Sequence, residues 1–287
     1  MTEEILKNLL SNFITNLKEK QRSPSTILAY RADLEQLLTF LEKRQKIFAS
    51  QVVESDIEAF RDSLLNEKYT PKSVSRKLNA IKTFFRYLIA EKHTMRDPSE
   101  NVSHPKIESN QPKYLSPLEY RVLRDVVRED VKIATIIELI LQTGMRISEV
   151  ASLKLENIKR DGIKIEAYAT QPERNIKLNQ PARKALQEYL EQRPKTDSPY
   201  VFVSKNGRPL AIRNIRSAID RYFKKADIGE YSVNDLRTTF IVENLKSGVN
   251  LMLISHTVGH KRLSTTERYL SLAGIKVPGR KQRLIEL

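Results

Sequence analysis

Val258-Gly259-His260-Lys261-Arg262-Leu263-Ser264-Thr265-Thr266-Glu267-Arg268-Tyr269 places a glycine, a histidine and, nine residues beyond it, a tyrosine in one short stretch. Two upstream clusters complement it. In Thr143-Gly144-Met145-Arg146-Ile147-Ser148-Glu149-Val150 a glycine turn leads into a helix that begins with Arg146. In Asn234-Asp235-Leu236-Arg237-Thr238-Thr239-Phe240 a second arginine sits in an apolar stretch. These residue types suit phosphodiester chemistry without a metal. Arginine's planar fork binds two phosphate oxygens and keeps its charge. Two such forks would stabilise charge in the transition state. Tyrosine can attack phosphorus, although its unperturbed pKa of about 10 calls for nearby cations or a base. Histidine handles a proton or adds a hydrogen bond to phosphate. Each residue also has a plainer reading. Arg146 would be a surface ion-pair residue, Arg237 a partner of Asp235 or Glu243, His260 a helix-terminal histidine and Tyr269 an amphipathic core residue.

Composition narrows the classes. The 287 residues hold 50 Lys+Arg against 35 Asp+Glu, a net charge of +15. Such an excess suits a polyanionic partner, because basic groups seated on phosphates release counterions; a solvated basic surface is the bland alternative. The absence of cysteine excludes disulfides, thiolate metal sites and a cysteine nucleophile. His256 and His260 stand four apart without the intervening glutamate of a zinc-protease signature, so no metal and no other cofactor is expected. Acidic Glu3 and Glu4 are unlike a signal peptide, and no apolar run reaches the roughly 18 residues of a membrane span. The expectation is a soluble, intracellular (cytoplasmic) protein with no membrane partner.

Periodicity predicts a mainly α fold with a small β-hairpin or three-stranded sheet (α+β), in two domains. Helical patterns cover residues 3–20, 25–44 and 55–67, and a fourth helix opens with Thr70 as cap and Pro71 behind it. That fourth helix carries Val74, Leu78, Ile81, Phe84, Phe85 and Leu88 on one face. Lys72, Arg76, Lys77, Lys82 and Arg86 are assigned to the other, a basic face fit for phosphate contacts or simply for water. The expected division is a helical N-terminal domain over 1–93, a proline-punctuated linker over 94–114 and a second domain over 115–287. Ser116-Pro117-Leu118-Glu119 reads as a capping box that starts the second domain. Helices are expected over 117–128, 131–142 and 146–153. Alternating runs at 162–168 and 175–179 form a hairpin, with 200–203 a candidate third strand. Helices return at 211–226, 233–247, 251–258 and 264–270.

Taken in order and spacing, Gly144-Met145-Arg146, Asn234-Asp235-Leu236-Arg237, Val258-Gly259-His260 and Tyr269 resemble the tyrosine recombinases, particularly the Xer-like integrases. The family pattern is Gly-x-Arg opening a helix, His-x-x-Arg, then Leu-Gly-His with tyrosine nine residues on. Thr265-Thr266-x-x-Tyr269 repeats the family's run into its nucleophile, and the N-terminal helices resemble its core-binding (SAM-like) DNA-binding domain. The resemblance implies that Arg146 and Arg237 hold a scissile phosphate, that His260 assists, and that Tyr269 attacks to give a 3′-phosphotyrosine. It implies double-stranded DNA with specific sites as partner, and a homo-oligomer that is a dimer per site and a tetramer in synapsis. The tail 273–287 would dock on a neighbouring protomer. Lys72, Arg76, Lys77, Lys82, Arg174 and Arg216 are the candidate DNA contacts. Chromosome or plasmid dimer resolution and mobile-element integration or resolution all use this chemistry.

Two family residues are absent. Asn234 replaces the histidine of His-x-x-Arg and can still bond a phosphate oxygen, though not as acid or base. Aligning on Glu173-Arg174 puts Ala169 where the family has its hairpin lysine; Lys164 and Lys177 on the flanking strands are candidate replacements. Losing a general acid costs roughly 10²–10⁴-fold in rate. The alternatives are therefore a catalytically impaired, recombinase-like DNA-binding protein, or a type IB topoisomerase with the same active-site logic.

Overall fold

A computed structural model describes residues 4–108, 111–168 and 171–275. It is mainly helical with one three-stranded antiparallel sheet, and it divides into two compact units, 1–110 and 111–287. No described helix is long and apolar enough to cross a membrane.

Four helices build the first unit: α1 (Leu6–Glu19), α2 (Pro24–Glu42), α3 (Glu54–Asn66) and α4 (Pro71–Ala90). Ser23 caps α2 and Thr70 caps α4, each followed by proline, the start signal the sequence carries. Their apolar stripes close one core around Phe13, Phe60, Phe84 and Phe85, all almost fully buried. Burying stripes like these is what stabilises helices of such length. Lys77 does not lie on the outer face of α4. It sits three residues after Val74 and four before Ile81, on the packed side, 7% exposed. Its Nζ donates to Asp33 Oδ1 at 2.9 Å, and Arg76 pairs with the other oxygen of that carboxylate, itself 2% exposed.

The second unit is organised by α6 (Val131–Thr143), apolar nearly all round and therefore central. Packed on it are α5 (Pro117–Val127), α7 (Ile147–Ala151), α8 (Gln180–Gln192), α9 (Ile212–Ala226) and α10 (Val233–Lys246). The Ser116 capping box forms as expected, with Ser116 Oγ accepting from Glu119 N at 3.3 Å and Glu119 Oε2 from Ser116 N at 2.7 Å. The sequence reading missed α8. Asn179 caps it, and Ala182, Leu186 and Tyr189 are its buried stripe in an otherwise polar segment. Strands β1 (Ile158–Lys159), β2 (Gly162–Ile165) and β3 (Arg174–Lys177) pair in that order, with Ile165 opposite Arg174 and Lys164 opposite Asn175. The expected strand at 200–203 is corrected to an irregular segment, and β1 is the third strand. Val201, Phe202 and Val203 are buried consecutively instead of alternating, and the segment pairs through isolated bridges, Lys154 to Tyr200 and Val203 to Pro209, with Arg193 donating to the carbonyls of Tyr200 and Val201. Helices α11 (Leu251–Val258) and α12 (Leu263–Glu267) complete the described unit.

The buried Lys77–Asp33 pair generates a stability prediction. Replacing Asp33 with Ala strands a buried ammonium, so urea unfolding should show a loss of about 3–5 kcal/mol. A loss below about 1 kcal/mol would mean that Lys77 is free to turn into solvent.

Candidate active site

Gly144 ends α6 in the left-handed region, φ 65°. A Cβ there would sit 2.6 Å from the Phe240 ring and 2.8 Å from Val258 Cγ1, so this turn must be glycine to pack beneath α10 and α11. The turn delivers Arg146 as the N-cap of α7, where Glu149, at the third helical position, accepts Arg146 N at 2.8 Å. The Arg146 guanidinium donates to Glu149 Oε1 at 3.0 Å, Val258 O at 3.1 Å and Gly259 O at 2.8 Å. From α10, Arg237 donates to Gly144 O and, at 2.7 Å, to Val258 O. The two arginines predicted from motif spacing thus meet on the same carbonyl, although they come from separate helices far apart in sequence.

Arg174 joins them from β3. Only 6% exposed, it donates to Thr257 O at 2.9 Å and grips Glu149 with two hydrogen bonds of 2.9 and 2.8 Å. Its guanidinium lies directly against Gly259, φ 67°, where a Cβ would stand 2.9 Å from Arg174 Cζ. Among the expected DNA contacts, Arg174 and Lys77 are therefore reassigned as buried, ion-paired residues. Arg76 is exposed but paired with Asp33, and Lys82 donates to the carbonyls of Glu100 and Val102, both at 3.1 Å. Lys72 and Arg216 are exposed and carry no ion pair among the described residues.

His260 follows the Gly259 turn, and its Nδ1 lies 2.8 Å from Thr266 Oγ1 on α12. The His260 and Tyr269 rings stack with centroids 6.1 Å apart and planes 10° from parallel. Tyr269 is half-buried against the small cluster of Ile241, Leu245, Ile254, Val258 and Leu270. Asn234 lies three residues before Arg237 on the same helix. It is exposed in the first turn of α10, and its side chain makes no hydrogen bond among the described residues.

Electrostatically, two of the three guanidinium groups, those of Arg146 and Arg174, bond to the Glu149 carboxylate, and Arg237 feels its charge. Burial and then the charges of Arg237, Arg146 and Arg174 push the His260 imidazole down to about 4, so it is neutral at pH 7. Burial, with Arg146 and Arg174 beside it, lowers Arg237 to about 9; Glu149 and Tyr269 act in the opposite direction. Burial alone would raise Glu149, but hydrogen bonds from Arg174 and Arg146 N, with both arginine charges, hold it below its ordinary value. Sequence reasoning quoted Glu149 without assigning it a role. Its signal was the third-position glutamate after Arg146, the spacing of a capping residue.

In the hairpin, Ala169 and Thr170 lie outside the described residues. The register decides where the neighbouring lysines sit. Ile165 and its partner Arg174 are buried and face the core, so Lys164 and Lys177 occupy the other face. Lys164 pairs with Glu173 at 3.1 Å. The register that would turn either lysine toward the arginines is not the one formed.

Comparison with known proteins shows the family of the chain. The phage integrase family model matches residues 113–274, and that of the phage integrase N-terminal SAM-like domain matches residues 10–92. The chain is 32% identical over 267 residues to the tyrosine recombinase XerD of Pasteurella multocida, covering 89% of this chain and 90% of that protein. It is 27% identical to the tyrosine recombinase XerC of Roseiflexus castenholzii, covering 88% and 85%. Among solved structures, a XerA recombinase matches at TM-score 0.52 and 27% identity, over 92% of this chain and 93% of that one. A lambda integrase dimer bound to a COC′ core site has the same fold at TM-score 0.76 and 16% identity, over 91% and 97%. The chain therefore belongs to the phage integrase family of tyrosine recombinases.

The Glu149 cluster makes a pH-resolved prediction. Because its carboxyl is held below the ordinary value of 4.5, its stabilisation is complete above that pH and is lost as pH falls through the folded-state value. At neutral pH, Glu149→Gln should lower unfolding stability by about 3–5 kcal/mol, since it leaves the Arg174 charge buried and uncompensated. The gap to wild type should narrow as pH falls below about 4.5. A gap constant down to pH 3 would show that the carboxylate charge is not what holds Arg174.

Proposed function

We propose that this chain cleaves and rejoins double-stranded DNA at specific sites through a 3′-phosphotyrosine on Tyr269. The observation that carries this reading is the meeting of Arg146 and Arg237 on Val258 O, beside the stacked His260 and Tyr269 rings. Three guanidinium groups against one carboxylate leave positive charge for an anion to neutralise, and a scissile phosphate is such an anion. In the reaction, Tyr269 Oη attacks phosphorus and loses its proton. The bond to the 5′-oxygen breaks, and that oxygen leaves as a hydroxyl after taking up a proton. A 5′-hydroxyl from the partner strand reverses the step, so the bond energy is retained and no nucleotide is consumed. His260, neutral at pH 7, acts as a hydrogen-bonding group toward phosphate.

Lys72 and Arg216, exposed and without ion pairs among the described residues, are the candidate phosphate contacts away from the reacting centre. A dimer on each site and a tetramer in synapsis are the assembly this reading carries, in the cytoplasm with the nucleoid. Of the tail proposed to dock on a neighbour, 273–287, the part after Ile275 is outside the described residues. The role would be dimer resolution or the integration and resolution of a mobile element.

A second reading, a DNA-binding relative with impaired strand exchange, is favoured by one specific observation. Lys164 and Lys177 occupy the face of the hairpin opposite Arg174, and position 169 is alanine. Both readings meet in one assay. Duplexes selected by the protein from a random and genomic pool are nicked near the centre, so that cleavage becomes irreversible, and detergent-resistant adducts are scored. The proposal expects an adduct with wild type and none with Tyr269→Phe. It also expects Ala169→Lys to accelerate cleavage, by up to about 10²–10⁴-fold if a general acid was missing. Site-selective binding with no adduct from wild type contradicts the proposal and leaves the impaired relative.

A further inference from the structure

Thr266 is fully buried, at 0% exposure, six residues after His260. Its Oγ1 lies 2.8 Å from His260 Nδ1, and among the described residues that nitrogen is its one hydrogen-bond partner. Other helical threonines dispose of their hydroxyl proton differently: Thr83, Thr238, Thr239 and Thr257 each donate to the carbonyl four residues back. Thr266 does not. Four residues before it is Arg262, the N-cap of α12, whose carbonyl accepts from Thr265 N at 3.0 Å.

The proton arithmetic follows from this geometry. A buried hydroxyl proton needs an acceptor, and leaving it without one is costly. The neutral imidazole offers one acceptor nitrogen and one N–H. Burial, and then the three arginines around it, push the ring down to about 4, so it is neutral at pH 7. If Nδ1 carried the ring proton, Thr266 could only accept, and its own proton would have no partner among the described residues. If Nδ1 is the acceptor, both groups are satisfied and the ring proton sits on Nε2. Nε2 has no hydrogen-bond partner among the described residues and is left for a ligand. The backbone of His260 is fixed by its N–H donating to Ser255 O at 2.9 Å, and the ring stacks on Tyr269.

We propose that Thr266 is a positioning residue that fixes His260 as the Nε2–H tautomer, so that His260 meets the scissile phosphate as a neutral donor and not as a base toward Tyr269. The link to phosphate rests on the recombinase reading above; the tautomer does not. Thr266 itself touches no reacting atom, and it acts by settling which imidazole nitrogen carries hydrogen.

The test uses the full chain, with histidine labelled with nitrogen-15 and His260→Gln to assign the signals. At neutral pH without DNA, wild type and Thr266→Ser should show a protonated Nε2 and an unprotonated Nδ1. Thr266→Val should show a mixture or the reverse. On the nicked duplex, Thr266→Val should slow adduct formation at least about tenfold, within the roughly 10²–10³-fold cost of deleting a transition-state donor outright. Thr266→Ser should restore the rate, with DNA affinity equal in all three, and matched unfolding curves exclude a folding defect. A wild-type ring protonated on Nδ1 overturns the proposal without reference to DNA. So does a Thr266→Val protein that keeps both tautomer and cleavage rate. Failure of wild type to form any adduct, with the Nε2–H tautomer present, overturns the recombinase reading alone and leaves Thr266 as the determinant of the tautomer.

Discussion

The last turn of α11 leaves the carbonyl oxygens of Thr257, Val258 and Gly259 without intrahelical donors, and three arginines from three other parts of the unit supply them. Arg174 arrives from a strand, Arg146 from the start of α7 and Arg237 from within α10. A helix C-terminus carries partial negative charge, so it attracts cations that would otherwise repel one another. Glu149 adds the one full negative charge in the group, held by two hydrogen bonds from Arg174. Elements distant in sequence are tied at this one point. Gly259 makes it possible, because a side chain there would strike the Arg174 guanidinium.

This arrangement concentrates positive charge without neutralising it. In the first unit Lys77 and Arg76 both bond to Asp33, and the Lys77 ammonium also lies 5.4 Å from the centre of the Tyr69 ring. Around Glu149, by contrast, burial and then the surplus charge lower both His260 and Arg237 from their ordinary values. In the proposed reading, a phosphate entering such a site would relieve repulsion already present in the folded protein, with the receiving geometry built before it arrives. Tyr269 shares the packing of Val258, whose carbonyl the arginines hold, so the proposed nucleophile and the proposed anion site are built on one small apolar cluster.

Much of this was readable from local patterns. The caps at Ser116 and Thr70, the apolar stripes of α2 and α4, the hairpin and the order of Arg146, Arg237, His260 and Tyr269 all follow from spacing and from resemblance to a family. What escaped depended on partners far away in sequence. Lys77 looked like part of a basic face, yet its offset from Val74 and Ile81 put it on the apolar side, and only Asp33 on another helix explains how a charge is tolerated there. Arg174 looked like a DNA contact because nothing local reveals that Glu149 faces it. Helix α8 was missed because its few apolar residues in a polar segment make a weak stripe, strengthened by the broad contact it finds on α6. The buried run at Val201–Val203 has strand-like composition but no alternation, and composition alone could not separate the two.

The most direct test is a crystal structure of the Tyr269→Phe protein bound to a DNA duplex it selects. One backbone phosphate should lie within hydrogen-bond distance of Arg146, Arg237 and His260 Nε2, with the edge of the substituted ring toward its phosphorus and Arg174 still clasping Glu149. If both guanidinium groups instead remain only on the α11 carbonyls, with every phosphate bound elsewhere on the unit, this cluster is a structural knot and the account of it as an anion site is wrong.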